Sequence, residues 1–173
     1  MTVLDIDSPE RMAKLGALIA PHLSAGDLVL LNGELGAGKT TLTRAIGDTL
    51  GIRGTVTSPT FVLARTHPRR EESPSDSAPL VHVDAYRLGN ATELDDLDID
   101  FDASIVVVEW GAGLLDGVSE SWLNVDIVRP TGAGDAAKSA DDWEEETSEP
   151  RTVTVTGHGP KWADLGWLNA LSD

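Results

Sequence analysis

Asp27-Leu28-Val29-Leu30-Leu31-Asn32 runs directly into Gly33-Glu34-Leu35-Gly36-Ala37-Gly38-Lys39-Thr40-Thr41, and a helical pattern follows. The first six residues are almost wholly apolar, which suits a strand buried on both faces of a parallel sheet. Gly33 to Thr40 then satisfy the spacing G-x-x-x-x-G-K-[ST]. Each residue type in it has a physical reason. Glycines let the backbone curl until successive N–H groups point inward at an anion. The helix beyond presents its positive N-terminal end to the same anion. Lys39 is placed to reach the β- and γ-phosphates of a nucleotide, and the Thr40 hydroxyl to ligate Mg²⁺. Leu42, Ala45, Ile46 and Leu50 mark the inner face of the helix, and Gly51 ends it. Strand, glycine loop and helix in this order predict a Walker A loop, with Gly36, Ala37, Gly38, Lys39, Thr40 and Thr41 as nucleotide contacts. A chance glycine-rich turn would not come with both flanking elements.

Around this unit, strand, loop and helix alternate. Ser8-Pro9-Glu10 opens a helix, with Ser8 as cap and Pro9 at its first position, and Met12, Leu15, Leu18, Ile19 and Leu23 follow at helical spacing. Phe61 to His67 and Leu80 to Ala85 read as strands, Thr92 to Leu97 as a short helix, and Ile105 to Val108 as a second buried strand. Trp122 to Val128 and Thr152 to Thr156 alternate in polarity and are expected to pair antiparallel. Pro160 to Leu171 reads as an amphipathic helix with Trp162, Leu165 and Leu168 or Trp167 inward. Two polar stretches interrupt this order, residues 68–79 and residues 131–150, and both read as mobile insertions within one domain. The expected fold is α/β of the P-loop NTPase type: a central, mostly parallel sheet flanked by helices, with antiparallel strand additions.

With 173 residues the chain suits one domain spanning 1–173 rather than two. It contains no cysteine, so neither disulfides nor thiolate metal sites support it. Met1 to Ser8 lack the basic start and apolar run of a signal peptide, and no stretch approaches a membrane span. A cytoplasmic protein with no membrane partner is expected. The formal net charge of -16 argues against a broad nucleic-acid surface, since phosphate backbones are held by clustered Lys and Arg. A single nucleotide is different, because a nest of N–H groups and one lysine can hold it locally.

Mg²⁺ needs oxygen ligands near Thr40, and two carboxylates end apolar strands: Asp84 in His82-Val83-Asp84 and Glu109 in Val106-Val107-Val108-Glu109. Ligands of open α/β sheets bind at the carboxyl ends of strands, where both residues fall. Either can hold the metal or polarise an attacking water, and a plain strand-end carboxylate would read the same way. Thr57-Ser58-Pro59-Thr60-Phe61 occupies the place of a γ-phosphate-sensing switch, with Ser58 and Thr60 as candidate contacts, although an ordinary turn around Pro59 fits as well. His82 reads as a structural histidine. Trp110 packs over the site or joins the core, and Arg87 approaches phosphate or forms a surface ion pair.

These motifs together resemble the bacterial TsaE family. The resemblance rests on Leu35 to Thr41, then Ser58-Pro59-Thr60-Phe61, His82-Val83-Asp84-Ala85-Tyr86-Arg87-Leu88 and Val108-Glu109-Trp110-Gly111, in that order from Asn32 to Gly111. The Walker A element is generic, and the other three are far more specific. The resemblance implies the ATPase component of the machinery that makes threonylcarbamoyladenosine in tRNA. It implies ATP and Mg²⁺ as cofactors, slow hydrolysis alone, stimulation by the partner subunits TsaB and TsaD, and tRNA met only through that complex. By position it carries over Lys39, Asp84 and Glu109 as catalytic, Thr40, Glu109 and Asp84 as metal ligands, and Ser58 to Phe61 as the switch. Ser8 and Arg129 are the adenine-side candidates. The two insertions look longer than a minimal member needs.

Other functions use the same loop. A small-molecule kinase would need lid arginines, for which Arg65, Arg69 and Arg70 are available. A GTPase would use an Asn-Lys-x-Asp segment, which this sequence lacks. A nucleotide-dependent interaction module would bind ATP and hydrolyse nothing meaningful.

Overall fold

The computed structural model describes residues 1–57, 63–74, 77–115, 117–129 and 150–171. Among these, seven strands form one sheet: β1 (Thr2–Ile6), β2 (Leu28–Gly33), β3 (Ala64–His67), β4 (Leu80–Asp84), β5 (Ile105–Glu109), β6 (Trp122–Val128) and β7 (Arg151–His158). Three α-helices accompany them, α1 (Pro9–Ile19), α2 (Lys39–Leu50) and the short α3 (Ala91–Asp95). The strand order is β1-β7-β6-β2-β5-β4-β3. β2 lies at the centre, parallel to both β5 and β6, and β4 is parallel to β5. The outer pairs β1/β7, β6/β7 and β3/β4 are antiparallel.

The apolar runs explain this arrangement. In β2 and β5 both faces are buried, so neither strand shows a polar alternation. Val29, Leu31, Ile105 and Val107 face α1 and α2, meeting Leu15, Ile19, Leu42 and Ile46 in one core. Leu28, Leu30, Val106 and Val108 face the other way, against Val81, Val83, Leu94 and Leu115. The Ser8 hydroxyl accepts from Arg11 N at 3.2 Å and caps α1, as its Ser-Pro-Glu start requires.

The structure adds β1 and redraws the C-terminal segment. β1 alternates, with Leu4 and Ile6 inward and Val3 exposed, and completes the sheet edge on β7. In place of one amphipathic helix over Pro160 to Leu171 there are two 3₁₀ turns, Pro160–Trp162 and Gly166–Leu171. Asp164 Oδ1 accepts from Gly166 N at 2.8 Å, and this side-chain turn competes with a continuing helix. Trp162, Leu165 and Leu168 are buried, while Trp167 stacks on the His22 ring at 4.2 Å.

Within the stretch 68–79, the described residues dock on the end of α2. Arg53 N donates to Pro68 O at 2.7 Å, Arg70 N to Gly51 O at 2.9 Å, and Arg70 Nε to Ile52 O at 3.1 Å. Arg69 donates to the Leu50 and Ala78 carbonyls. Ser58 to Phe61 lie outside the described residues, as does 131–149 of the acidic stretch.

Candidate functional site

The loop between β2 and α2 has a shape only glycine allows at two points. At Gly33, φ is +148°, and a Cβ would sit 2.5 Å from the Ile127 carbonyl oxygen. Gly38, the N-cap of α2, has φ +110° and turns the chain into the helix. The N-terminus of α2 therefore opens onto a pocket of about 390 Å³. Its lining includes Gly36, Gly38, Lys39, Thr40, Thr41, Asp84, Glu109 and Trp110, together with Ser8 from the start of α1.

Lys39 is buried, and its ammonium donates to Gly33 O at 2.8 Å and Glu34 O at 2.9 Å. The indole of Trp110 lies over it at 4.1 Å. Burial pushes the Lys39 pKa below the ordinary lysine value, and the charges of Glu109 and Asp84 push it partly back. A phosphate entering here meets a cation whose present partners are two loop carbonyls, which it can replace.

The two carboxylates come from neighbouring strands in register, Asp84 of β4 opposite Glu109 of β5. Glu109 is 5% exposed. Its Oε1 accepts from Thr40 Oγ1 at 3.1 Å and meets His82 Nε2 at 2.9 Å. Asp84 Oδ1 accepts from Tyr86 N at 3.1 Å, closing the turn that follows β4. Trp110 takes φ +64°, a left-handed conformation that costs a non-glycine residue about 1 kcal/mol or more. Its N–H donates to Leu31 O at 3.1 Å, and Tyr86 meets its ring edge-on at 5.4 Å. The chain is thus bent sharply at the end of β5, with the ring over the lysine.

The donor set suits Mg²⁺. Among the described residues no group of three or more His, Cys, Asp or Glu forms a metal cage. A hydroxyl with one or two carboxylates beside an anion-binding loop is what Mg²⁺ uses, the remaining ligands being phosphates and water.

Most of the sequence candidates therefore meet in one place. Ala37 is buried beneath the loop, its N–H donating to Glu34 O at 3.1 Å. Arg129 follows β6 and brings its guanidinium to 3.8 Å from where a Gly36 Cβ would stand. Arg87 is exposed at the end of the 3₁₀ turn Ala85–Arg87. Ser58 and Thr60 lie outside the described residues, but both flanking ends are held: Arg44 Nε donates to Val56 O at 3.2 Å and Arg65 to Thr57 Oγ1 at 2.9 Å on one side, and Asp84 N donates to Leu63 O at 2.9 Å on the other.

Sequence reasoning missed Arg151, Ile6 and Met12, which also line the pocket. The alternation of Thr2 to Ile6 was the available signal for the wall that β1 supplies. Arg151 follows Pro150 at the start of β7, and only the pairing of β7 between β1 and β6 brings it beside the loop.

Comparison with known proteins gives a consistent picture. The family described as "Threonylcarbamoyl adenosine biosynthesis protein TsaE" matches residues 6–136. A Streptomyces coelicolor protein named tRNA threonylcarbamoyladenosine biosynthesis protein TsaE is 51% identical over 155 residues, 88% of this chain and 94% of its own. A Bacillus subtilis protein of the same name is 34% identical over 159 residues, 91% of this chain and 87% of its own. The crystal structure of Bacillus subtilis YdiB aligns with a TM-score of 0.65 at 27% identity, over 99% of this chain and 93% of that one.

Proposed function

Since this chain belongs to the TsaE family of threonylcarbamoyladenosine biosynthesis proteins, we propose that it is the Mg²⁺-dependent, ATP-hydrolysing component of that tRNA-modification machinery, acting as a partner-stimulated switch on a TsaB–TsaD transferase complex. The observation that carries this reading is the convergence of Lys39, Thr40, Glu109 and Asp84 on one pocket at the N-terminus of α2. In it, Gly36 to Thr41 cradle the phosphates, Lys39 holds the β- and γ-phosphates, and Thr40 ligates the metal with Glu109 or Asp84 beside it. Bound Mg²⁺ would neutralise charge on the phosphate oxygens. Glu109 or Asp84 positions the attacking water, and Ser58 and Thr60 sense the γ-phosphate. Ser8 and Arg129 serve the nucleoside side. The whole chain acts as one cytoplasmic ATPase domain, with tRNA met through the partners.

The kinase alternative loses its lid. The Arg69 side chain donates to the Leu50 and Ala78 carbonyls and that of Arg70 to Ile52 O, and neither residue lines the pocket. Arg65 is bonded to Thr57.

The test is steady-state hydrolysis of ATP and GTP with and without purified TsaB–TsaD, with Lys39→Ala as blank. Stimulation by the pair, selective for ATP and absent in the blank, is expected. Glu109→Ala should keep most nucleotide binding and lose about 100-fold or more of the stimulated rate. Tight nucleotide binding with no stimulation by an active pair would refute the switch. Near wild-type turnover in Glu109→Ala would remove Glu109 from catalysis.

A further inference from the structure

His82 is fully buried on β4, two residues before Asp84, and its Nε2 lies 2.9 Å from Glu109 Oε1. The Thr40 hydroxyl donates to the same oxygen. An ionised carboxylate only accepts, so the ring proton sits on Nε2. Nδ1 is also buried and has no hydrogen-bond partner among the described residues. An imidazole with one bare nitrogen is a poor choice for filling a core, because leucine would occupy the space without burying an unsatisfied polar atom. The ring is explained by what its other nitrogen holds.

We propose that His82 is a positioning residue for Glu109. A glutamate side chain has three rotatable bonds, and a carboxylate at the pocket wall is useful only if these are fixed. The Nε2–H of a rigid, buried ring fixes them from the sheet side, while Thr40 approaches from the N-terminus of α2. Both bonds fall on Oε1, which leaves the second carboxylate oxygen for the metal shell or the water in the pocket. Strand geometry makes the arrangement possible. His82, Asp84 and Glu109 all lie on the sheet face that carries α2, with His82 and Asp84 two residues apart on one strand and Glu109 opposite Asp84 on the next. Partners that orient a metal-ligating side chain typically matter about 10–100-fold in metal affinity or activity. This inference rests on the nucleotide reading of the site and deepens it.

Two substitutions separate the ring's two nitrogens. In His82→Gln the side-chain amide reaches about as far as Nε2 and can still donate to Glu109. In His82→Asn the amide stops near the position of Nδ1, so the bond is lost. ADP affinity is measured by calorimetry in EDTA and across a Mg²⁺ titration, on the full chain. His82→Asn should match wild type in EDTA and need about 10–100-fold more Mg²⁺ for half of its effect on affinity, while His82→Gln returns close to wild type. Nitrogen-detected NMR of the unsubstituted protein should place the proton on Nε2, with that signal changing in Glu109→Ala. Unchanged Mg²⁺ dependence in a folded His82→Asn would overturn the role, as would a His82→Gln no better than His82→Asn. A wild-type proton on Nδ1 would overturn it without any His82 variant having to fold. Wild-type protein that binds ADP in neither buffer would instead sink the proposed function, and this role would fall with it.

Discussion

His67 shows how a single side chain ties this fold to pH. It sits on β3 opposite Leu80 and is 5% exposed. Burial lowers its pKa, and the positive charge of Arg65 on β3 adds to that. The folded protein therefore holds a neutral ring, whereas the unfolded chain takes up a proton near the ordinary histidine value of about 6.5. Between the two values the unfolded state binds more protons, so stability rises with pH across that window. The contribution is complete above the unfolded value and is lost as pH falls toward the folded one. Calorimetric melting of His67→Leu should give a shallower fall in Tm than wild type between about pH 7.5 and about pH 5.5. Equal slopes would mean that His67 takes up no extra proton on unfolding. At this scale the sequence was informative where chemistry demands a residue type in a fixed pattern, as at Lys39 and Thr40. It was least informative at His82, whose neighbour two residues on hinted at the site but whose partner Glu109 lies on another strand.

Among the elements, α1 and α2 pack closely enough that one residue decides their separation. A Cβ at Gly16 would lie 2.6 Å from Ala45 Cβ and 3.0 Å from Ile46 N, a backbone atom that cannot yield alone. Helix propensity favours alanine over glycine by about 1 kcal/mol in a helix interior. The clash opposes it, since overpacking a close contact costs about 1–3 kcal/mol. Gly16→Ala should therefore lower stability in denaturant titration despite its better propensity, and a more stable Gly16→Ala would show that the two helices part freely. The α1–α2 contact also carries Met12 toward Gly38, so the same variant disturbs the pocket wall. The strands that are apolar throughout, β2 and β5, could be read directly from Leu28 to Leu31 and Ile105 to Val108. Their neighbours β4 and β6 could be read as strands, but not where in the sheet they sit. Parallel pairing of β6 with β2 leaves no local trace in Trp122 to Val128, and β1 is five residues whose alternation is easily taken for an extended tail. The C-terminal turns were misread because Trp162, Leu165 and Leu168 keep helical spacing while Asp164 and Gly166 break the ladder.

For the molecule as a whole, charge separates binding one nucleotide from binding RNA. The formal net charge of -16 repels polyanions at long range, while the pocket gathers Lys39 and Arg151 at its wall with Arg129 beside Gly36. A nucleotide is small enough to sit within that local field, and the backbone N–H groups and the dipole of α2 supply the rest. A tRNA must instead lay many phosphates against the surface. Each phosphate calls for a protein cation that displaces the counterions condensed on it, and even nonspecific DNA binders with such surfaces reach only about 10⁻⁴–10⁻⁶ M at physiological salt. This chain has 13 Lys and Arg against 29 Asp and Glu. In gel-shift assays it should leave tRNA unshifted at about 10 µM protein and physiological ionic strength. If the proposed complex forms, adding the TsaB–TsaD pair should bring this chain into a tRNA-containing assembly whose cationic surface would have to come from the partners. A shift caused by the chain alone, weakening steeply with salt, would reveal a basic face and make the protein a direct reader of the tRNA. Its absence, together with recruitment through the pair, would assign ATP to this chain and RNA to its partners.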